Sequence, residues 1–341
     1  VSDVIRLFKE AKNIESDSRD DAEESEEFYR GEQWTTEQIN KLESEHRSYL
    51  TFNHIQANVK LLSGYQRQNR TDLRFFPIED GDARVADVLN IITKVILDNN
   101  GFDVEETLCF EDVLISGRGF IELLVDYSEN YNGDIIVEHF PWADVYMGPH
   151  IRPDAKDCEY MVKAKWFSKA KVKQAWPDKA DDIQTEWDFY ADPERKTQLE
   201  IPGENYVHSD NIEPRSGGLL PDGELMDIAK KNIRVLECWR KEFRRIFILA
   251  NPEDDFFHSA EGWSDEDVKK AKTIPGFFAI PKHTHAMRKT TLAARTMLDD
   301  DYPDVSFNDF SLIPIYADKK GPHFWGKVEV GKDPQRETNK R

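Results

Sequence analysis

The chain has 341 residues, of which 33% are charged and 39% are hydrophobic, and its formal net charge is -20. At this length we expect two or three domains, and the composition is typical of a folded protein with much exposed surface or of thin lobes that complete their cores against neighbours. The negative charge argues against a protein that binds DNA tightly through its phosphates, and against one that binds anionic membranes.

Three cysteines lie far apart in the chain, at Cys109, Cys158 and Cys238. They form no CxxC pair and no cluster with histidines, so neither a disulfide framework nor a zinc module is predicted, and we expect assembly in a reducing compartment. No apolar run approaches the about 18 residues of a membrane-spanning helix, and the N-terminus has no signal-peptide pattern. We therefore expect a soluble mature chain.

The first predicted elements lie in residues 1–48, which are heavily charged and contain few apolar side chains. This pattern predicts one or two exposed acidic helices that dock through few anchors. Two interpretations of the acidic residues 15–27 stay open. The stretch is either an arm that hooks a neighbouring molecule or a solvated helix.

Residues 49–175 are predicted to form a compact part in which helices precede a sheet. The strongest helix covers DARVADVLNIITKVILDNN, where apolar residues recur every three or four positions. These residues are Val85, Val88, Leu89, Ile92, Val95 and Ile96. We expect this face to lie against a core, and a further helix to run from about Phe102 to Ile115.

The hydrophobic period then changes to that of strands. FIELLVDY (120–127) and DIIVEHF (134–140) are the predicted strands, and Asn132-Gly133 between them favours a hairpin turn. Residues 176–231 form a turn-rich insertion. Residues 232–330 combine candidate strands with one short helix, so the predicted fold class is α+β.

The last segment, 331–341, contains the local pattern of a helix start. Asp333 is a suitable N-cap and Pro334 suits the first helical position. Only eight residues follow the cap, fewer than the roughly 12–15 that an isolated helix needs in water. The segment is therefore either a frayed tail or the beginning of a long helix.

The candidate catalytic groups are weak. Gly117-Arg118-Gly119 lacks the rest of a phosphate-binding loop and is predicted to end a helix where the sheet begins. His283 and His285 could bind a metal together with His258, but no acid or cysteine stands at a familiar spacing. Asp299–Asp301 could hold magnesium in a nuclease, although 66 acidic residues make such clusters common by chance. We expect no catalysis, no cofactor and no metal.

Several motifs taken in order resemble those of the phage portal proteins, the head-to-tail connectors, and within them the branch of short-tailed phages (podoviruses). The motifs are TFNHI, GYQRQNRTD, FEDVLISGRGFIELLVDY, NGDIIVEHFPWADVYMGP and KDPQRETNKR. The resemblance covers residues 28–167 and 310–341, whereas residues 177–231 carry no matching motif. The last motif, which follows a WG-x-V stretch, is the most specific.

The resemblance implies a structural protein of the virion, assembled in the host cytoplasm, with no enzymatic activity. Portal subunits form a ring of about twelve at one capsid vertex, through which double-stranded DNA is packaged and ejected. The implied partners are other copies of the chain, the DNA, the terminase large subunit, capsid and scaffolding proteins and a tail adaptor, with no membrane.

The resemblance also assigns regions of the subunit. On this template, residues 49–175 are the core of the wing and residues 176–231 an insertion in it. Residues 232–330 lead through the stem and clip. Residues 331–341 begin a second stem helix whose continuation, with the tunnel loop and crown, is missing from this chain.

Two sets of site residues follow from the resemblance. The positions that match the family motifs are Arg67, Asn69, Arg70, Gly117, Arg118, Gly119, Asp333, Pro334 and Gln335. The candidate contacts of the DNA tunnel are Lys332, Arg336, Lys340 and Arg341. Pairing of these basic residues with acids of a neighbouring subunit is the alternative role. Two other functions stay open: a metal-dependent phage nuclease that uses Asp299–Asp301, and a monomeric adaptor or scaffolding module.

Overall fold

The computed structural model combines helices and antiparallel sheets in two compact units. The residues that it describes are 1–78, 82–127, 130–191, 225–251, 256–259, 269–271, 274, 278–302 and 309–340. One unit, here called the core unit, contains Ser2–Ala164 and Ser311–Arg341, and the other, the inserted unit, contains Lys165–Phe310. This mixture of helix and sheet agrees with the predicted α+β class. The assignment of wing, stem and clip regions stays a prediction.

Helices form the first part of the core unit. They are α1 (Ser2–Ile14), α2 (Ser16–Arg30), α3 (Thr36–Ser44), α4 (His54–Gln68), α5 (Ala83–Asn99) and α6 (Phe102–Ile115). Sequence dictates several of their ends. Thr35 and Gln38 form a reciprocal capping box at the start of α3, and the Asn53 side chain accepts a hydrogen bond from the Gln56 amide at the start of α4.

Helices α1 and α2 are less exposed than the sequence predicted. Each buries one face, with Val4, Phe8 and Ala11 on α1 and Ala22 and Phe28 on α2. Most acidic residues of α2, among them Asp17, Asp20, Glu23 and Glu27, are exposed on the opposite face, so helical periodicity largely separates charge from burial. The solvated-helix interpretation of residues 15–27 therefore holds for only one side of the helix.

Helix α5 forms as predicted, but the prediction that its apolar face lies against a core is wrong. Five of the six residues are exposed: Val85, Val88, Leu89, Ile92 and Val95 are 40–57% accessible. Near the end of the helix, Ile96 packs beside Cys109, Val113, Ile121 and Val137. Periodicity identifies an amphipathic helix but does not identify what covers its apolar side.

A three-stranded antiparallel sheet follows the helices. It is formed by β1 (Arg118–Asp126), β2 (Asp134–Phe140) and β10 (Leu312–Tyr316), in the order β10-β1-β2. The predicted hairpin is confirmed, with Asp126 opposite Asp134 and Gly133 at a φ of 79°. On the other side of β1, Phe120 pairs with Pro314, which returns a distant part of the chain to the core unit. Next to this sheet in sequence, β3 (Val145–Met147) pairs with β4 (Tyr160–Ser168).

The C-terminal segment completes the core unit. A hairpin of β11 (Asp318–Lys320) and β12 (His323–Trp325) leads into a helix, Lys327–Lys340, which we number α9. The predicted start at Asp333-Pro334 is wrong, because Pro334 lies inside the helix. A proline there removes one backbone hydrogen bond, and the tertiary contacts of the neighbouring Lys332 and Gln335, both buried, hold the helix on either side of it.

The inserted unit is dominated by a long antiparallel pair. β6 (Asn232–Asn251) pairs with β8 (Phe278–Ala293), and β9 (Thr296–Asp301) continues on the other side of β8. The short strands β5 (Met226–Asp227) and β7 (Phe256–Ser259) pair with β6. Helices α7 (Lys169–Ala175) and α8 (Ala180–Ala191) precede these strands. Most of the insertion predicted at 176–231 and of the helix predicted at 264–272 lies outside the described residues.

Gly119 tests the close packing of α6 on β1. An alanine Cβ at this position would lie 2.6 Å from the Cys109 carbonyl oxygen, so we expect Gly119→Ala to lower the free energy of unfolding. An overpacked core site of this kind costs about 1–3 kcal/mol, which urea denaturation would measure.

Gly64→Ala is the matched control. Nothing lies within 4 Å of its Cβ position in α4, so the change should be neutral or stabilising by about 0.5–1 kcal/mol. Equal effects of the two substitutions would contradict the packing described for Gly119.

Candidate functional site at the base of the C-terminal helix

Lys332 of α9 is fixed inside the core unit. Its side chain is 2% exposed. The ammonium group donates to the Asp21 carbonyl oxygen at 2.9 Å and lies 2.7 Å from the Glu24 carboxylate and 2.5 Å from Glu329. A buried ammonium group needs such partners, because desolvation without them costs several kcal/mol. The structure thus pairs this candidate tunnel contact with acids of its own chain.

Arg336 lies one turn further along α9 and uses the same carboxylate. Its guanidinium group donates to Glu24 at 2.5 Å and to Asp333 at 3.0 Å, and it lies 4.9 Å from the centre of the Phe28 ring. Partial burial alone would raise the pKa of Glu24, but the hydrogen bonds and charges of Lys332 and Arg336 lower it below its usual value. Glu24 therefore joins α9 to α2 through two cations, beside the bond from Lys332 to the Asp21 carbonyl oxygen.

A network of side-chain amides fixes the other side of α9. Gln335 donates to the Phe52 carbonyl oxygen at 2.6 Å, and Asn339 accepts from the Phe52 amide at 3.3 Å. Asn339 also donates to Gln33 at 2.6 Å. Gln335 was predicted as a family-motif position, whereas Glu24, Gln33 and Asn339 were missed because their partners are about 300 residues away in sequence.

The remaining predicted residues of this segment differ in their environment. Asp333 and Pro334 are exposed, and Asp333 contacts Arg336 rather than capping the helix. Lys340 is exposed at the end of α9. Arg341 lies outside the described residues. Lys340 and Arg341 therefore stay predicted tunnel contacts.

The motif residue Arg118 is the centre of a buried ion-pair network. It is completely buried and donates to both carboxylate oxygens of Glu15, at 2.6 and 3.0 Å. Arg19 binds the same carboxylate at 3.5 Å and donates to the Val145 carbonyl oxygen at 2.8 Å. Burial lowers the pKa of Arg19 from its usual value. Two cations that share one carboxylate join the α1–α2 junction to β1 and to residues 143–147.

Gly117 and Gly119 allow backbones to approach on both sides of Arg118. Gly117 has a φ of 94°, and a Cβ there would overlap the backbone of Trp325. A Cβ on Gly326 would in turn lie 2.5 Å from the Leu114 carbonyl oxygen. The predicted position of Gly117 at the helix-to-sheet junction is confirmed. The residue also leaves room for the backbone of Trp325, which lies just before α9.

Arg67 and Arg70 hold the end of α4 against α6. Arg67 lies 3.6 Å from Glu111, and Arg70 donates to the backbone oxygen of Asp103 at 2.7 Å and forms an ion pair with its carboxylate. The Asn69 side chain donates to the Tyr65 carbonyl oxygen of its own helix at 2.9 Å. The two arginines therefore contact another helix of the core unit, whereas Asn69 caps the end of α4.

Two of the three carboxylates proposed for a nuclease, those of Asp300 and Asp301, accept hydrogen bonds from the protein. Asp300 accepts two hydrogen bonds from Arg288, at 2.8 and 2.6 Å, and one from Thr290 at 2.9 Å. Within the described ranges, no group of three or more His, Cys, Asp or Glu residues could hold a metal ion. The side chains of His258 and His285 lie outside the described set. The same ranges contain no helix long and apolar enough to cross a membrane.

The three cysteines are free and buried. Burial raises the pKa of the Cys109 and Cys238 thiols to about 12. Such thiols stay protonated at neutral pH and are poor nucleophiles.

Glu24→Gln tests the joint between α2 and α9. The variant leaves the buried Lys332 with fewer anionic partners, so we expect its free energy of unfolding at pH 7 to fall by about 1–3 kcal/mol. A carboxylate with a lowered folded pKa stabilises above its unfolded pKa, near 4.5, and loses this contribution as the pH falls through the lower folded value. The difference between wild type and variant should therefore shrink below pH 4.5.

Chemical denaturation across this pH range is the measurement. Glu27→Gln, an exposed residue of the same helix, is the control and should change the stability little at any pH. A Glu24→Gln variant that keeps wild-type stability at pH 7 would contradict the joint.

Comparisons with known proteins agree with the motif resemblance. The portal protein of Helicobacter pylori bacteriophage KHP30 is 23% identical over 115 residues, which are 34% of this chain and 19% of that protein. The match thus spans about a fifth of that relative's length. The model of the phage P22-like portal proteins matches residues 5–341, nearly the whole chain. This chain belongs to the phage P22-like portal protein family.

Proposed function

We propose that the chain is a subunit of the portal ring of a short-tailed phage, at one vertex of the capsid. Double-stranded DNA passes through the ring during packaging and ejection. The observation that carries the proposal is the family match over residues 5–341. The family is structural, which favours a role without catalysis.

The charge of the chain supports a tunnel through which DNA slides. Each Lys or Arg that neutralises a phosphate releases counterions and adds affinity, so a sliding surface needs few free cations. The chain has a net charge of -20, and Lys332 and Arg336 of α9 form ion pairs with Glu24 of the same chain. Lys340 and Arg341 are the proposed tunnel contacts, with pairing to a neighbouring subunit as their alternative role.

The anchoring of α9 supports its role as the base of a stem helix. The helix is held on one side by Glu24 and on the other by Phe52, both through buried or partly buried polar contacts. A force along the helix would thus be transmitted to α2 and to the chain before α4. We propose that residues 49–175 form the wing core, that 232–330 lead through stem and clip, and that 331–341 belong to the second stem helix.

The proposed partners follow from this position in the virion. The ring contacts capsid and scaffolding proteins at its wing. The terminase large subunit and then a tail adaptor dock at the exposed end of the ring. The nuclease function is not supported, because the Asp300 oxygens that would bind magnesium accept hydrogen bonds from Arg288 and Thr290.

Electron microscopy of the purified protein, with its mass in solution measured on the same sample, tests the proposal. We expect a ring of about twelve subunits around a hole that admits a DNA duplex. A protein that stays monomeric at high concentration and moderate salt would contradict the proposal. Magnesium-dependent DNA cleavage that disappears in Asp300→Ala would support the nuclease instead.

Lys340→Ala tests the proposed role of this lysine in the tunnel of assembled rings. We expect unchanged ring formation and weaker DNA binding, with the slope of log K against log salt reduced by about 1 for each phosphate that is no longer neutralised. Lys320→Ala, which removes an exposed lysine from the β11–β12 hairpin, is the matched control. Equal salt slopes for the two variants would exclude Lys340 from the tunnel.

A further inference from the structure

Helix α5 presents an apolar face that nothing covers in the described part of the chain. Val85, Val88, Leu89, Ile92 and Val95 are each at least 40% exposed, and Ala86 is the buried residue of the helix. The helix is fixed at its C-terminal end, where Asn100 donates to the Ile135 carbonyl oxygen at 2.9 Å. Contiguous apolar faces of this kind on soluble proteins mark interaction sites.

The irregular segment 70–78 extends this surface. The Asn90 side chain of α5 accepts from the Phe75 amide at 2.7 Å and donates to the Phe75 carbonyl oxygen at 3.1 Å. This pair of bonds fixes the segment against α5, while Phe76 and Ile78 are 79% and 96% exposed. A cleft of about 480 Å³ lies between the segment and helices α5 and α6. We call α5 and residues 70–78 together the α5 surface.

The charges around this surface differ from those of the whole chain. Residues 70–78 and 83–99 contain four Lys and Arg and three Asp and Glu, so the α5 surface has a net charge of +1 while the chain carries -20. Two copies of a polyanion repel each other over most orientations. The apolar α5 surface, which is not acidic, can approach the acidic remainder of a second copy without that repulsion, and its exposed Arg74 and Lys94 can face acids there.

We infer that the α5 surface binds a neighbouring copy of this chain, on a different face of that copy. The inference rests on the proposed ring, in which each subunit contributes two different faces to a head-to-tail contact. A candidate counterpart is the outer side of α2, where Asp17, Asp20 and Glu23 are exposed. Helix α2 packs on α4, α6, α9 and β12, and α5 packs on α6 and β2, so the two helices have different neighbours apart from α6.

The double variant Val88→Asp with Ile92→Asp tests this interface. Each change places a charge in an apolar interface, and a tenfold loss of affinity for each would raise the concentration at which rings form by about 100-fold. Mass photometry over a dilution series of the purified protein measures that concentration. Ile151→Asp is the matched control, because Ile151 is 77% exposed and lies outside the α5 surface.

A second double variant, Phe76→Asp with Ile78→Asp, guards against misfolding. Both side chains are exposed in the subunit, so the variant should keep the thermal unfolding temperature of the wild type and still fail to form rings.

A head-to-tail contact also predicts how variant and wild-type subunits behave in a mixture. A subunit that lacks only the α5 surface can still bind a neighbour through its other face, so it should cap growing chains and suppress wild-type rings when mixed in equal amounts.

The outcomes separate this inference from the proposed function. Wild-type rings together with folded, ring-forming variants would overturn the α5 surface as the interface and leave the ring intact. In that case the α5 surface would contact residues of this chain outside the described ranges, or another virion protein. A wild-type protein without rings would instead contradict the proposed function itself.

Discussion

The core unit depends on one carboxylate, that of Glu15, which binds the completely buried Arg118 and the nearly buried Arg19. Two cations against one anion leave an excess positive charge in the interior. Carbonyl oxygens and aromatic rings compensate for it: Arg19 donates to Val145 and lies 4.0 Å from the Tyr146 ring centre, and Arg118 lies 4.4 Å from that of Phe324. Such a network adds little net stability compared with an apolar core, but the loss of one partner would leave a buried charge unpaired.

The position of the C-terminal helix, α9, depends on this arrangement. Arg118 begins β1, and β1 pairs with β10, which brings residues 312–316 back to the start of the sheet. The following hairpin rests on the glycine backbone at 117, and α9 then packs on α2 through Glu24. Helix α2 itself starts next to Glu15. The buried Arg118–Glu15 ion pair therefore fixes the start of β1, and the partly buried Arg336–Glu24 ion pair fixes α9.

The sequence was informative where the structure is determined locally. The helices at 83–99 and 102–115 and the Asn132-Gly133 hairpin follow from periodicity and turn chemistry, and the order of motifs was enough to identify the family. The sequence was not informative where contacts between distant parts of the chain determine the structure. Asp333-Pro334 is a good helix start in isolation, but contacts of Lys332 and Gln335 with residues about 300 positions away extend the helix back to Lys327. The buried role of Arg118 had no local indication either.

The exposed face of α5 and the bound cations of α9 have a common physical reason. A strongly acidic subunit that assembles with its own copies cannot rely on charge for adhesion, because like charges repel at every contact that is not specifically paired. Apolar contact is independent of the sign of charge and is weakened little by salt. In the proposed ring, the pairing of Lys332 and Arg336 within the chain would keep these two cations away from DNA phosphates. In the proposed ring, apolar adhesion between subunits and the passage of DNA are therefore compatible in one chain.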